Sequence, residues 1–353
     1  MTDSRLSQLN TFDKDRLPDW LTALLPILLF SWVYYRWPAF WLEVLAVGGY
    51  LMAERLLQPL IVLRGGIVSA LVTGLLAAFC LPATTPYWPA ALVGALAALA
   101  AAAPELLSKR WPQSPFSRPL LQPALVGYLL VRAVFPAATG GFAFPVQWRG
   151  LDGITAATPL VTEGTEPLSH LFFGIESGSI GGTCEAVVLL GAAYLLLRRR
   201  LRLLPAGCML AVVALFSWIG SGRPLDGLLC GGTLLAALLL ADGAYAPVSY
   251  ADQAMVGVAA GLVTALLRLF TATSGAAAGV LATGLLQPAL PSIYRFSRWV
   301  WSWLQPALAT LWRLVCRGTA WVLPRAKALT FRVVKAFGGF CQGIYKKIFK
   351  KEK

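Results

Sequence analysis

Apolar residues fall into ten segments along the chain, at 20–35, 37–53, 66–82, 88–104, 120–136, 179–197, 203–219, 224–241, 253–269 and 275–293. A spanning helix takes about 20 apolar residues. The pattern therefore predicts an all-α polytopic membrane protein with about ten transmembrane helices. Several segments are short for a hydrocarbon core of about 30 Å, which predicts local thinning or ends buried in protein. Lys and Arg set the expected orientation. With a cytoplasmic N-terminus, one set of loops carries Arg55 and Arg64, then Lys109, Arg110 and Arg118, then Arg198, Arg199, Arg200 and Arg202. The opposite loops carry little more than Arg36, Arg149 and Arg223. An even number of spans with both termini cytoplasmic satisfies this bias. The expected organisation is a cytoplasmic segment 1–19, a membrane domain 20–294 with a long outer loop 137–178, and a tail 295–353. Gly74-Leu75-Leu76 and Gly284-Leu285-Leu286 both precede a proline, which hints at an inverted repeat of the kind common in transport folds.

Composition narrows the classes. The 353 residues are 58% hydrophobic and 13% charged, against roughly half apolar and a quarter charged in soluble domains. That balance excludes a soluble single-domain enzyme and a disordered chain. A transmembrane β-barrel would show polar and apolar alternation. The net charge of +14 belongs to the tail, where residues 295–353 hold 13 Lys and Arg against the single acid Glu352. The tail starts Trp-rich and ends with Phe337, Phe340, Ile344, Tyr345 and Ile348 at helical spacing, flanked by lysines. This predicts a basic amphipathic helix on anionic lipid. No recognition module accompanies the charge, so nucleic acid is not an expected partner. The first 20 residues are polar and mixed in charge, unlike a cleavable signal peptide.

The six cysteines show no C-x-x-C pair, and His170 is the single histidine. No metal site is expected within the chain. Cys184 reads as a packed reduced thiol or as one ligand of a cluster shared with another subunit. Ionisable residues inside the spans are few, and such residues commonly lie on ion routes. Glu43, Glu185 and Asp242 are the ion-pathway candidates, each also readable as a buried hydrogen-bonded group. Arg132 and Arg268 read as snorkelling cations. Gly178, Gly181 and Gly182 admit close helix packing or close approach of backbone to a cofactor.

The outer loop carries four acids, Asp152, Glu163, Glu166 and Glu176, and reads Asp152-Gly153-Ile154-Thr155-Ala156-Ala157-Thr158-Pro159. Taken alone, this is a turn before a helix, or an accessible Thr158 hydroxyl with Asp152 six residues earlier. The stretch resembles the flavin-attachment sequence of a membrane subunit family. That family includes the D subunit of the Rnf ion-translocating ferredoxin:NAD oxidoreductase and the B subunit of the sodium-pumping NADH:quinone oxidoreductase. Its pattern is Asp, two residues, Ser or Thr, a small residue, Ala and Thr. Further stretches are similar in the same order: Ser69–Leu76 with Leu81-Pro82, Gln122–Tyr128, Gly178–Thr183, and Asp242 with Pro247.

The resemblance implies that Thr158 carries FMN through a phosphoester made by a dedicated flavin transferase. It implies recognition roles for Asp152, Thr155 and Ala157, and cofactor contacts for Gly178, Ser179, Gly181 and Thr183. It further implies a second, non-covalent flavin, either riboflavin or FMN. It also implies electron transfer with other subunits of a complex linking ferredoxin to NAD, coupled to Na+ or H+ movement. The expected location is a bacterial or archaeal cytoplasmic membrane, with the flavin loop on the outer side. The rival readings are a non-pumping subunit on the same scaffold and a transporter without redox chemistry. Three positions depart from the family pattern. Ala156 stands in place of glycine, Ile67-Val68 stand where an Asp-Gly pair is expected, and Gly182 replaces a glutamate, with Glu185 one helical turn on.

Overall fold

The computed structural model describes residues 3–58, 66–111, 120–143, 155–156, 168–174, 177–270 and 275–289, with side chains from residue 16 onward except at 155, 156 and 270. Asp152, Ala157, Thr158 and the tail 295–353 lie outside the described residues. The described body is α-helical apart from one two-residue strand pair, and each of the ten predicted segments carries a helix.

The helices are α1 (Asp3–Tyr35), α2 (Trp37–Leu57), α3 (Gly66–Phe79), α4 (Tyr87–Arg110) and α5 (Pro123–Val134). The single-turn α6 (Pro136–Thr139), strands β1 (Phe142–Ala143) and β2 (Thr155–Ala156) and the short α7 (Leu168–Phe173) follow. The remainder is α8 (Glu185–Leu197), α9 (Leu203–Ser221), α10 (Asp226–Leu229), α11 (Thr233–Leu240), α12 (Tyr250–Phe270) and α13 (Ala276–Leu286). Four stretches are long and apolar enough to cross a membrane unaided: Arg16–Tyr35, Tyr87–Arg110, Leu203–Ser221 and Tyr250–Leu269. The protein is an all-α polytopic membrane protein.

The short helices need a different solution. At 1.5 Å per residue, the 14 residues of α3 rise only about 21 Å and the 13 of α8 about 20 Å. The rest of each segment is non-helical backbone, turning around a short bridge, which in apolar surroundings must find its own hydrogen-bond partners. It finds them in the other short segment. Pro82 pairs with Ser179 in an antiparallel bridge. The amide of Ile180 donates to the Leu81 carbonyl at 2.9 Å, and that of Gly181 to the Phe79 carbonyl at 2.9 Å. The predicted span 224–241 is likewise broken. It divides into α10 and α11 around Gly231 and Gly232, whose φ angles of +66° and +67° favour glycine.

Packing partners repeat between the two halves. In the first, α1 and α2 lie on α3, α2 on α4, and α4 on α5. In the second, α8 and α9 lie on α11, α9 on α12, and α12 on α13. The two non-glycine residues with positive φ, Arg36 at +54° and Arg199 at +55°, occupy the corresponding joints, α1–α2 and α8–α9. By its partners α3 therefore matches α11, and not the α13 segment that the Gly-Leu-Leu likeness suggested. The α2–α4 contact is backbone to backbone. A Cβ on Gly94 would overlap the Ala46 carbonyl, and one on Gly49 the Ala91 carbonyl. This is how small residues bring membrane helices together.

One end of the bundle is fastened by charge. Asp242, 1% exposed, accepts from Arg16 Nε at 3.1 Å and forms an ion pair with Arg16 Nη2. It also accepts from Gln122 Nε2 at 3.3 Å and the Ala244 amide at 3.2 Å. Beside it, Asp19 accepts from Arg198 Nε at 3.0 Å and Arg200 Nε at 2.6 Å. These contacts bind the middle of α1, where its apolar stretch begins, to the α8–α9 turn and to the end of α11. Removing one member of a buried pair strands the other charge, at a cost of about 3–5 kcal/mol. Asp242→Ala should therefore lower the melting temperature in detergent sharply. The double variant Arg16→Met/Asp242→Leu should recover most of the loss. A double variant no better than Asp242→Ala would show that the pair is not the cause.

Candidate functional site

Two cavities flank α3. The first is a narrow crevice lined by Cys80, Tyr128, Phe142, Ser179, Gly231 and Gly232, with Gly178 also on its wall. It sits where the end of α3, the non-helical entry to α8 and the start of α11 meet. The second measures about 580 Å3 and is bordered by Trp20, Tyr50, Ser69, Gln122 and Tyr245, with Arg16, Lys109 and Asp242 also on its wall.

Local chemistry explains the crevice. The segment between Ser177 and Cys184 is held out of the helix by its pairing with residues 79–82. It is stiffened by Thr183, whose hydroxyl donates to the Ser179 carbonyl at 2.6 Å. The Thr183 proton being used there, the buried Tyr35 hydroxyl donates to Thr183 Oγ1 at 2.7 Å. This joins the end of α1 to the same segment. Gly182 lies against the backbone of Gly232, where a Cβ would come 2.5 Å from Gly232 Cα. That contact explains the departure at this position: no acidic side chain fits at residue 182 in this packing. Gly181 is packed on Phe79, so its lack of a side chain serves packing.

The outer wall comes from the loop predicted to be functional. Phe142 of β1 pairs with Ala156 of β2, and Ala143 with Thr155. The strand pair is tied to the body at several points. Thr84 Oγ1 donates to the Gly141 carbonyl, and Arg132 Nη1 donates to the Thr139 carbonyl at 2.8 Å. Arg132 was expected to snorkel and instead braces the chain entering β1. Arg268 differs from expectation in the same way. It donates to the Gly227 carbonyl at 2.8 Å and to Thr233 Oγ1 at 2.5 Å, and so holds the α10–α11 break. Unwound carbonyls in apolar surroundings need donors, and Arg268 supplies them.

The acids separate into paired and unpaired groups. Glu43 is buried and accepts from Ser31 Oγ at 2.6 Å and Trp32 Nε1 at 2.7 Å, closing the α1–α2 hairpin. Asp242 is held by Arg16, as described. Glu185, fully buried, and Asp226 have no hydrogen-bond partner for either carboxylate oxygen among the described residues. The Nε1–H of the buried Trp20, on the wall of the larger cavity, is also without one. The structure thus brings Gly178 and Ser179 to the crevice beside Thr155's strand, with Gly181 and Thr183 supporting it from behind. Glu43 and Asp242 are not part of it. Sequence reasoning passed over Trp20, Tyr35, Tyr128 and the Gly231-Gly232 break. Adjacent glycines inside an apolar run were the one readable sign of that break.

Comparison with known proteins places the chain in a family. The model of the NQR2, RnfD, RnfE family matches residues 14–298. The chain belongs to that family. Among its relatives is the D subunit of the Na(+)-translocating ferredoxin:NAD(+) oxidoreductase complex of Acetobacterium woodii. It is 28% identical over 294 residues, or 79% of this chain and 87% of that protein. The D subunit of the proton-translocating ferredoxin:NAD(+) oxidoreductase complex of Clostridium ljungdahlii is 27% identical, over 65% of this chain and 73% of its own length. The B subunit of the Na(+)-translocating NADH-quinone reductase of Chromohalobacter salexigens is 29% identical, over 56% and 51%.

The crevice of this family member depends on glycine at 182. Gly182→Ala should force the entry to α8 away from α11, at a cost of about 1–3 kcal/mol. Gly207→Ala, with nothing within 4 Å of the new methyl, is the control. Thermal unfolding in detergent should drop for the first variant and stay near wild type for the second. Equal melting temperatures would refute the contact.

Proposed function

We propose that this chain is the flavin-bearing membrane subunit of an ion-translocating oxidoreductase complex, with FMN attached to Thr158 through a phosphoester. The observation that carries the reading is the β1–β2 pair. Phe142 lines the crevice, and its partner strand ends at Ala156, two residues before Thr158. An extended residue spans at most about 3.6 Å, so a group on Thr158 would be within reach of the crevice mouth. The flanking residues 152–158 have the family spacing, and the named relatives are subunits of such complexes.

The crevice holds about 40 Å3, so a flavin on Thr158 would lie at its mouth and not inside it, and the residues there suit such a contact. Glycine backbone at 178, 231 and 232 allows close approach, the Ser179 hydroxyl offers a polar contact, and Tyr128 and Phe142 offer aromatic surface. Bound FMN would supply one- and two-electron transfer. The chain's own part is positional. Arg132 and Thr84 fix the approach to β1, and the 79–82/179–181 pairing fixes the opposite wall.

The larger cavity is our candidate for the second, non-covalent flavin. Its volume falls in the usual ligand range of about 300–1,000 Å3. Trp20, Tyr50 and Tyr245 offer ring surface, and Trp20 Nε1 offers a free donor. Ser69 of α3 borders this cavity and Cys80, just after α3, borders the crevice. Eleven residues apart on one helix axis, they lie about 16 Å apart. The larger cavity also reaches Val72, Thr73 and Leu76, so the two cofactors would sit beside successive turns of one short helix.

The Arg-rich end of the bundle gathers the middle of α1, residues 198–202 and, through Gln287 Nε2 donating to the Tyr245 carbonyl at 3.0 Å, the end of α13. We assign this face to the cytoplasm of a bacterium or archaeon, with the Thr158 loop outside. The partners are the other subunits of the complex, a flavin transferase for maturation and anionic lipid at the basic tail. Ion movement accompanies turnover of the complex.

The test separates the two flavins. Wild-type protein co-expressed with the transferase should show a fluorescent band after denaturing electrophoresis, and Thr158→Ala should lose it. Extractable flavin should survive in Thr158→Ala and fall in Trp20→Leu. A fluorescent band in Thr158→Ala, or no flavin in the mature wild type, would overturn the proposal.

A further inference from the structure

Glu185 is the first residue of α8 and is fully buried, and neither carboxylate oxygen has a hydrogen-bond partner among the described residues. Three other acids of the membrane body are compensated. Glu43 accepts two hydrogen bonds. Asp19 and Asp242 are bound by arginines. Asp226 also lacks a hydrogen-bond partner among the described residues, but it opens the single-turn α10, whereas Glu185 directly follows the segment that walls the crevice. The elements packed on α8 are α1, α7 and α11. The ionisable group of α1 nearest this end is Tyr35, engaged with Thr183. α7 brings His170, α11 carries no ionisable side chain, and Cys184 precedes Glu185 in the chain. None is a fixed cation. A carboxyl group buried without a partner is costly, and such groups inside membrane proteins commonly mark ion or proton routes.

Its place in the fold sets it beside a part of the bundle that can rearrange. Glu185 follows the non-helical segment 177–184, pinned to the end of α3 by the Ile180 and Gly181 amides and abutting α11 at Gly182 and Gly232. Three interrupted helices meet there. Interrupted helices are where transport folds build their exchange sites, because a break can rearrange without unwinding a continuous helix. The same segment forms the wall of the crevice to whose mouth we assigned the flavin, at Gly178 and Ser179.

We propose that Glu185 is a proton-exchange site and that the ion this subunit handles there is H+. The step is a carboxylic acid releasing H+ to become a carboxylate, and the reverse, with no change of oxidation state at the side chain. Hard cations require several oxygen ligands at once. The neighbouring Thr183 hydroxyl is already engaged on both sides. A single carboxyl suits a proton. The inference rests on the redox reading given above, and its test reads a different quantity.

The experiment uses the assembled complex in sealed vesicles with a pH-sensitive dye inside, comparing wild type, Glu185→Gln and Glu185→Asp. Glu185→Gln copies the neutral acid in shape and should keep covalent flavin and electron transfer while losing proton movement. Glu185→Asp should retain part of it. Infrared difference spectra of the wild type on reduction should show a carboxylic-acid C=O band that shifts in Glu185→Asp. That band keeps the proposal testable if Glu185→Gln fails to assemble. Proton movement at wild-type stoichiometry in Glu185→Gln would overturn the proposal. So would the absence of the band, or a Na+-dependent potential that survives a protonophore. Lack of flavin in the wild type would instead overturn the redox reading.

Discussion

The pairing of residues 79–82 with 179–181 is the constraint on which the rest of the structure depends. Backbone that leaves a helix inside an apolar bundle must replace its hydrogen bonds. Here two interrupted segments from different halves of the chain do this for each other. The pairing shortens α3 and α8 and brings Gly182 onto Gly232. It also opens the crevice between them. The same geometry places Glu185 at the first turn of α8, away from any arginine clasp.

Most of the architecture was legible in the sequence because membrane helices are written in bulk hydrophobicity. Each predicted segment holds a helix. What the pattern could not show was where a helix stops inside its apolar run. Leu81 and Ile180 are as apolar in a bridge as in a helix, so no periodicity marks the change. Gly231 and Gly232 did mark a break, through their freedom at positive φ. The relation between the halves was misplaced for a related reason. A shared Gly-Leu-Leu is common among apolar residues, whereas packing partners are particular to a fold.

The site was legible in its parts and not in its assembly. The Asp152–Thr158 spacing singled out the loop. The Gly178–Thr183 stretch singled out the entry to α8. Nothing in either stretch said that Phe142 would link them. The roles of Arg132 and Arg268 were hidden because a cation near the end of an apolar segment reads as snorkelling. Both turn inward, because exposed carbonyls at Thr139 and Gly227 need donors. Asp242 looked like an ion-route candidate by position, and a partner 226 residues away engages it.

The charge clasp at Asp19 and Asp242 has a mechanical consequence. It fastens the first helix of the chain to the second half of the molecule, while α2 to α5 pack among themselves. α1 packs on α2 and α3 of the first half, and its ion pairs add a hold on the second, so it is shared between the two and continues into α2 through a single joint. That joint is Arg36, whose backbone already stands in a conformation side-chain-bearing residues seldom adopt. A single residue would be the pivot, and the Glu43 hydrogen bonds across the hairpin would limit its swing.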